Sequence, residues 1–353
     1  MKPGERVAVI DLGSNSFRLV VFMAGERWWK RTDEIYEPVR IGQGLAATGS
    51  LAQAPIERAL ATLDVFSHFC RASGLGEGSV DAVATSAIRD AENAETFLAR
   101  ARERFGLPIR VLSRETEARY GYLAAINSTT LQDGYVFDLG GGSMQLVRVE
   151  GRLALDSGSW PLGTVRMSER FLPPNGPAKR KQLDELREHL AGELAGVRWL
   201  TGADSGGRRL VGIGGTVRNL AAAAQRATGL PSNGVQGTVI EREVLDELVQ
   251  RLAALPASER ATVPGVKPAR ADLILAGALV VQAVLKAGGF EGMETTEAGL
   301  REGIFFERLL SDRDPPLLEN VRQASVLNLA AHLAPALRPA RACRRGGGRG
   351  RGP

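Results

Sequence analysis

Two stretches of this 353-residue chain combine the residue types that hold phosphate and divalent cations. Val9-Ile10-Asp11-Leu12-Gly13-Ser14-Asn15-Ser16-Phe17-Arg18-Leu19-Val20 aligns without gaps on Val136-Phe137-Asp138-Leu139-Gly140-Gly141-Gly142-Ser143-Met144-Gln145-Leu146-Val147, 127 positions further on. In each, an apolar run ends on Asp, small residues turn the chain, and a second apolar run leaves. That is the pattern of a β-hairpin with a glycine-rich tip. Backbone N–H groups bared at such a tip converge on anions, serine hydroxyls add donors, and a strand-end carboxylate suits Mg2+. Ser14, Asn15, Ser16, Gly140, Gly141, Gly142 and Ser143 are therefore candidate phosphate contacts, and Asp138 and Asp11 candidate metal ligands. A third glycine loop, Gly212-Ile213-Gly214-Gly215-Thr216, ends another apolar run. Its Gly214, Gly215 and Thr216 either bind a phosphate or part of a nucleotide, or form only a tight turn. One such loop alone reads as an ordinary turn; two matching copies facing across a cleft would grip a phosphate from both sides.

The elements between the hairpins alternate. Residues 55–72 carry Ile56, Leu60, Leu63, Phe66 and Phe69 on one helical face. Strands are expected at 80–84 and 109–112, and helices at 93–105 and 115–126, the latter capped by Ser113. Beyond the second hairpin the pattern predicts a strand at 152–156, a helix at 178–200, a strand at 210–213, and helices at 217–228, 241–255 and 268–287. Alternation of this kind is an α/β protein. With the repeated hairpin it predicts a duplicated architecture: an N-terminal lobe over 1–126, completed by 298–312 packing back on it, and a C-terminal lobe over 127–297. Residues 313–353 read as a helical stub and a basic tail. The last part, 335–353, holds only Pro, Ala, Leu, Arg, Cys and Gly, and is either a disordered tail or a frame-shifted end.

Composition excludes several classes. There is no run of about 18 apolar residues to cross a membrane, and no secretory leader, so a cytoplasmic protein is expected. Three histidines and two cysteines, widely scattered, match no usual zinc spacing or disulfide framework. The net charge of +5 is misleading, because six arginines fall in 338–353, and leaving them out takes the net charge to −1. No nucleic-acid partner is expected for the folded part.

The chain resembles the exopolyphosphatase/guanosine-pentaphosphate phosphohydrolase (Ppx/GppA) family. The resemblance rests on residues 11–19, on Ala84-Thr85-Ser86-Ala87-Ile88-Arg89-Asp90-Ala91-Glu92-Asn93, and on Ser113-Arg114-Glu115-Thr116-Glu117-Ala118-Arg119. It continues through 138–143, Pro161-Leu162-Gly163 and 212–216 to Ala298-Gly299-Leu300-Arg301-Glu302-Gly303, in the family's order. It implies the actin/sugar-kinase/heat-shock-ATPase fold: two ribonuclease-H-like lobes around an interdomain cleft. It also implies phosphoanhydride hydrolysis, assisted by Mg2+ or another divalent cation. The substrate would be inorganic polyphosphate or guanosine pentaphosphate, the nucleotide of the stringent response, and a homodimer is compatible with it. By position alone Glu117 is a helix-N-terminal carboxylate favouring the helix dipole; the resemblance makes it the general base. Arg89 and Arg18 would contact phosphate oxygens, or else serve in ion pairs.

One position departs from the family. Two residues after the second hairpin's Ser the family usually places Glu, and this chain has Gln145. An amide cannot act as a base and ligates cations weakly. If the missing carboxylate served metal or water, activity would be reduced, and Gln145→Glu would raise it. A non-hydrolysing sensor of polyphosphate or nucleotide is the corresponding alternative, and a kinase or filament-forming ATPase shares the fold.

Overall fold

The computed structural model describes residues 1–333 apart from Arg27, Glu77, 201–207 and 230–233. The expected basic tail therefore lies outside the described residues.

The first sheet contains β1 (Arg6–Leu12), β2 (Phe17–Ala24), β3 (Trp29–Glu37), β4 (Val80–Ala84) and β5 (Ile109–Val111) in the order β3-β2-β1-β4-β5. The second contains β6 (Gly134–Leu139), β7 (Met144–Glu150), β8 (Leu153–Trp160), β9 (Arg209–Ile213), β10 (Val239–Glu241) and β11 (Gly292–Thr295) in the order β10-β11-β9-β6-β7-β8. Each sheet opens with an antiparallel three-strand meander and continues on the other side of its first strand with parallel partners. The second adds antiparallel β10 at its edge. Two ribonuclease-H-like sheets of the same topology are thus present, as the duplicated hairpin implies. Register preserves the duplication to the residue: Asp11 lies opposite Arg18, and Asp138 opposite Gln145.

Both faces of the inner strands are buried, which is why they read as continuous apolar runs. Along β1, Val7 and Val9 join a core that also takes Val136, Val147 and Val211 of the second sheet, whereas Ala8, Ile10 and Leu12 face a separate first-lobe core. The shared core between the sheets is completed by the helices Arg114–Ile126 and Leu300–Leu309. Phe305 stacks on Phe22 with ring centroids 4.4 Å apart. These two helices approach closely because position 303 is glycine: a Cβ there would run into the Tyr120 carbonyl. That approach carries Arg301 to the cavity where Glu117 stands.

Several expectations shift. The helix at 178–200 ends earlier, as Arg180–Ala195, with Gly196 as its C-cap. The one at 268–287 is broken into a 3-10 turn, Pro268–Arg270, and a helix, Ile274–Gly288. The break brings Arg270 against Gly215 and lets Asp272 pair across the lobes with Arg40 at 2.7 Å. Among the described residues, no helix is long and apolar enough to cross a membrane.

Candidate active site

The two hairpin tips meet. Ser14 Oγ lies 3.0 Å from Ser86 Oγ, and a Cβ on Gly142 would come within 3.0 Å of Ser14 Oγ and 2.5 Å of Ser86 Oγ. Only glycine at 142 lets the second tip close on the first. Behind the tips a cavity opens. Asp11, Ser14, Asn15, Ser16 and Arg18 of the first hairpin line it, with Asp138, Gly140 and Gly141 of the second. Gly214 and Gly215 of the third loop and Glu117 also line it. Asn15 Nδ2 is buried and has no partner among the described residues, leaving a donor available beside the cavity.

Four expected site residues do not line the cavity. Arg89 stands behind Glu117, donating to Glu117 Oε2 at 2.7 Å and to the Leu112 carbonyl at 2.9 Å, so it is bound up in the ion pair rather than presented to phosphate. Ser143 is buried, with its Oγ 3.3 Å from Glu117 Oε1. Gly142 is spent on the closure of the two tips. Thr216 is 1% exposed and accepts a hydrogen bond from Arg270 Nη1 at 3.4 Å. Gln145, likewise, is turned away from the cavity.

Three carboxylates with different partners share the cavity. Glu117 sits in the first turn of Arg114–Ile126, a helix started by Ser113 Oγ accepting from the Thr116 amide. Burial raises the Glu117 pKa, while Arg89 and the Ser143 hydroxyl oppose the rise. Asp11 is raised by burial, yet Arg301 Nη1 lies 3.3 Å from its Oδ2 and counters it. Asp138 has no hydrogen-bond or ion-pair partner among the described residues. Burial, then the neighbouring charges of Glu117 and Asp11, push it up to about 7.

The sequence reading named Arg18 but not the other arginines of the site. Arg218, Arg270 and Arg301 line the cavity with Arg18. Burial and the neighbouring guanidiniums, Arg301 first, push Arg218 down to about 10. Arg18 is lowered by burial and by Arg301, although Glu34 Oε1 accepts from it at 2.9 Å and Tyr36 lies beneath its guanidinium, 4.7 Å to the ring centroid. Arg301 lies within the Ala298–Gly303 motif; Arg218 and Arg270 carried no local signal, because only tertiary contact brings them together. Burial first, and neighbouring guanidiniums after it, lower Arg18, Arg218 and Arg270, a cradle of concentrated positive charge suited to binding anions.

The donors present fit a hard divalent cation. Asp138 is an unpartnered carboxylate facing a cavity of oxygen donors, and its raised pKa marks negative charge that a cation would relieve. Asp11 fits less well, since Arg301 already takes one of its oxygens. Among the described residues, no three His, Cys, Asp or Glu side chains group as a metal cage. One carboxylate, with the remaining positions left to water and phosphate, is an arrangement that suits Mg2+.

Comparison with known proteins agrees with this architecture. Residues 31–312 match the model of the Ppx/GppA phosphatase family. Exopolyphosphatase 1 of Mycobacterium tuberculosis is 32% identical over 317 residues, covering 88% of this chain and 90% of that protein. Exopolyphosphatase 1 of Mycobacterium leprae is 30% identical, covering 88% and 91%. The crystal structure of the Aquifex aeolicus Ppx/GppA family member is 30% identical with a TM-score of 0.72, covering 88% of this chain and 99% of that one. An exopolyphosphatase structure from Cytophaga hutchinsonii has a TM-score of 0.78, covers 86% and 98%, and at 21% identity speaks to the fold alone.

Proposed function

Because the chain belongs to the Ppx/GppA phosphatase family, we propose that it is an exopolyphosphatase, hydrolysing the terminal phosphoanhydride bond of inorganic polyphosphate and releasing orthophosphate. The observation that carries this reading is the convergence of Arg18, Arg218, Arg270 and Arg301 on a cavity that also presents Glu117 and Asp138. The basic lining does not stop there. Arg18, Arg218 and Arg270 also line an adjoining recess with Lys267, which gives room and charge for phosphates beyond the terminal one.

The reaction needs charge neutralisation, alignment and a proton acceptor. The terminal phosphate sits in the cavity behind the two hairpin tips, held by Ser14, Asn15, Ser16 and the Gly140–Gly141 backbone. Glu117 accepts a proton from the attacking water as the water oxygen bonds to phosphorus and the bridging P–O bond breaks. The bridging oxygen leaves with the shortened chain, its charge met by the arginines. Arg89 opposes the burial-driven rise in the Glu117 pKa and aims the carboxylate. Asp138 would hold Mg2+, whose chemistry when bound is to neutralise phosphate oxygens. Asp11 fixes Arg301 and through it the cradle.

A second reading, guanosine pentaphosphate as substrate, is favoured by one observation: the adjoining recess is also lined by Tyr36, whose ring offers a stacking face for a base. Phosphate release from long-chain polyphosphate, guanosine pentaphosphate and ATP, each with and without Mg2+, separates these. Release mainly from polyphosphate supports the first reading and release mainly from the nucleotide the second. Binding without release from any of the three would overturn both and leave a sensor.

A further inference from the structure

Gln145 is 1% exposed and stands where the family resemblance leads one to expect Glu. Its amide Nε2 lies 2.9 Å from Ser143 Oγ and 3.2 Å from Ser159 Oγ, while its Oε1 has no partner among the described residues. Ser143 Oγ in turn lies 3.3 Å from Glu117 Oε1. A serine hydroxyl has one proton, and an ionised carboxylate can only accept. The Ser143 proton therefore points at Glu117, and its oxygen must accept from the other side. An amide N–H fills that need. The reverse orientation, with Gln145 Oε1 toward Ser143, would take the only proton and leave Ser143 and Glu117 oxygens facing each other as acceptors. A glutamate at 145 would do the same unless it were itself protonated.

We propose that Gln145 is a positioning residue, which holds the Glu117 carboxylate in place through Ser143. Arg89 grips one Glu117 oxygen, and the Gln145–Ser143 relay grips the other. Gln145 is then a support for the base and not a missing metal ligand, so Gln145→Glu is expected to lower activity rather than raise it. The inference rests on the proposed role of Glu117.

The test is a mutant cycle on the full chain with polyphosphate and Mg2+. Gln145→Glu and Ser143→Ala are each expected to lower kcat about tenfold, with KM within about twofold, because a mispositioned base affects the transition state and not substrate capture. Together they are expected to be no worse than the more damaging single change, since both break one relay. Gln145→Leu, which removes the amide but leaves the Ser143 proton free to find Glu117, is expected to cost about two- to threefold. If Gln145→Glu fails to fold, the cycle is run with Gln145→Leu, where non-additivity with Ser143→Ala is again required. A rise in kcat for Gln145→Glu, losses that multiply in the double variant, or a change confined to KM would each overturn the inference. Wild-type protein that releases no phosphate overturns the proposed base, and this inference with it.

Discussion

In the first hairpin Asp11 lies across from Arg18; in the second Asp138 lies across from Gln145. The backbone is the same, and the electrostatic outcome is opposite. The first hairpin supplies positive charge: Arg18 reaches the cavity, and Asp11 is taken up by Arg301. The second supplies negative charge: Asp138 faces the cavity with no partner among the described residues, and Gln145 is buried behind Ser143, where it supports Glu117. A duplicated phosphate grip has thus been divided, on the proposed reading, into a half that holds the polyanion and a half that holds cation and base. The difference lies in what stands behind each strand-end aspartate: the helix Leu300–Leu309 brings Arg301 within 3.3 Å of Asp11, whereas among the described residues no ion-pair partner reaches Asp138.

The sharpest way to break the comparison is to remove the two aspartates in turn. Asp138→Asn is expected to lower kcat about a hundredfold and to raise the Mg2+ concentration needed for half-maximal rate. Asp11→Asn is expected to cost about tenfold or less, with Mg2+ dependence unchanged, because its amide oxygen still accepts from Arg301. Phosphate release across an Mg2+ titration measures both. Equal losses with equal Mg2+ shifts would remove the division of labour.

Making the first hairpin like the second is the next test. Arg18→Gln should raise KM for polyphosphate about tenfold and leave kcat within about twofold, since a charge-assisted contact to the chain contributes to substrate capture. Steady-state kinetics at low and high salt would show the salt dependence of KM reduced as well.

A smaller effect concerns pH. Asp138, at about 7, must be ionised to hold a cation, so kcat/KM should fall as pH drops through neutrality at limiting Mg2+. A bound cation favours the ionised form. Each tenfold rise in Mg2+ should therefore move this acid limb down by up to about one pH unit. The shift of the limb with Mg2+ should vanish in Asp138→Asn, leaving only the titration of the base Glu117. A limb indifferent to Mg2+ would place the titration elsewhere.

Much of this was legible in the sequence because the signals were local. The strand at Val80–Ala84 and the Ser113-capped helix Arg114–Ile126 follow from short patterns, and the hairpins from their own repeat. What was missed lacked such patterns. β3 is an edge strand whose Lys30, Arg31, Asp33 and Glu34 hide its alternation, and β10 and β11 are too short to show any. The cation cradle was illegible for a different reason. Arg218, Arg270 and Arg301 come from three separate elements, and only packing at Gly215 and Gly303 brings them to one cavity. For Arg89 the sequence left phosphate contact and ion pair open, because its charge is visible there and its partner is not: Glu117 accepts from it across 28 residues.

The account turns on Glu117 as the proton acceptor. Glu117→Gln keeps the side chain's shape and its hydrogen bond from Arg89 while removing the base. Phosphate release from polyphosphate under saturating Mg2+ is predicted to fall at least about a hundredfold in kcat, with KM changed by no more than a few-fold. Turnover at the wild-type rate would contradict it.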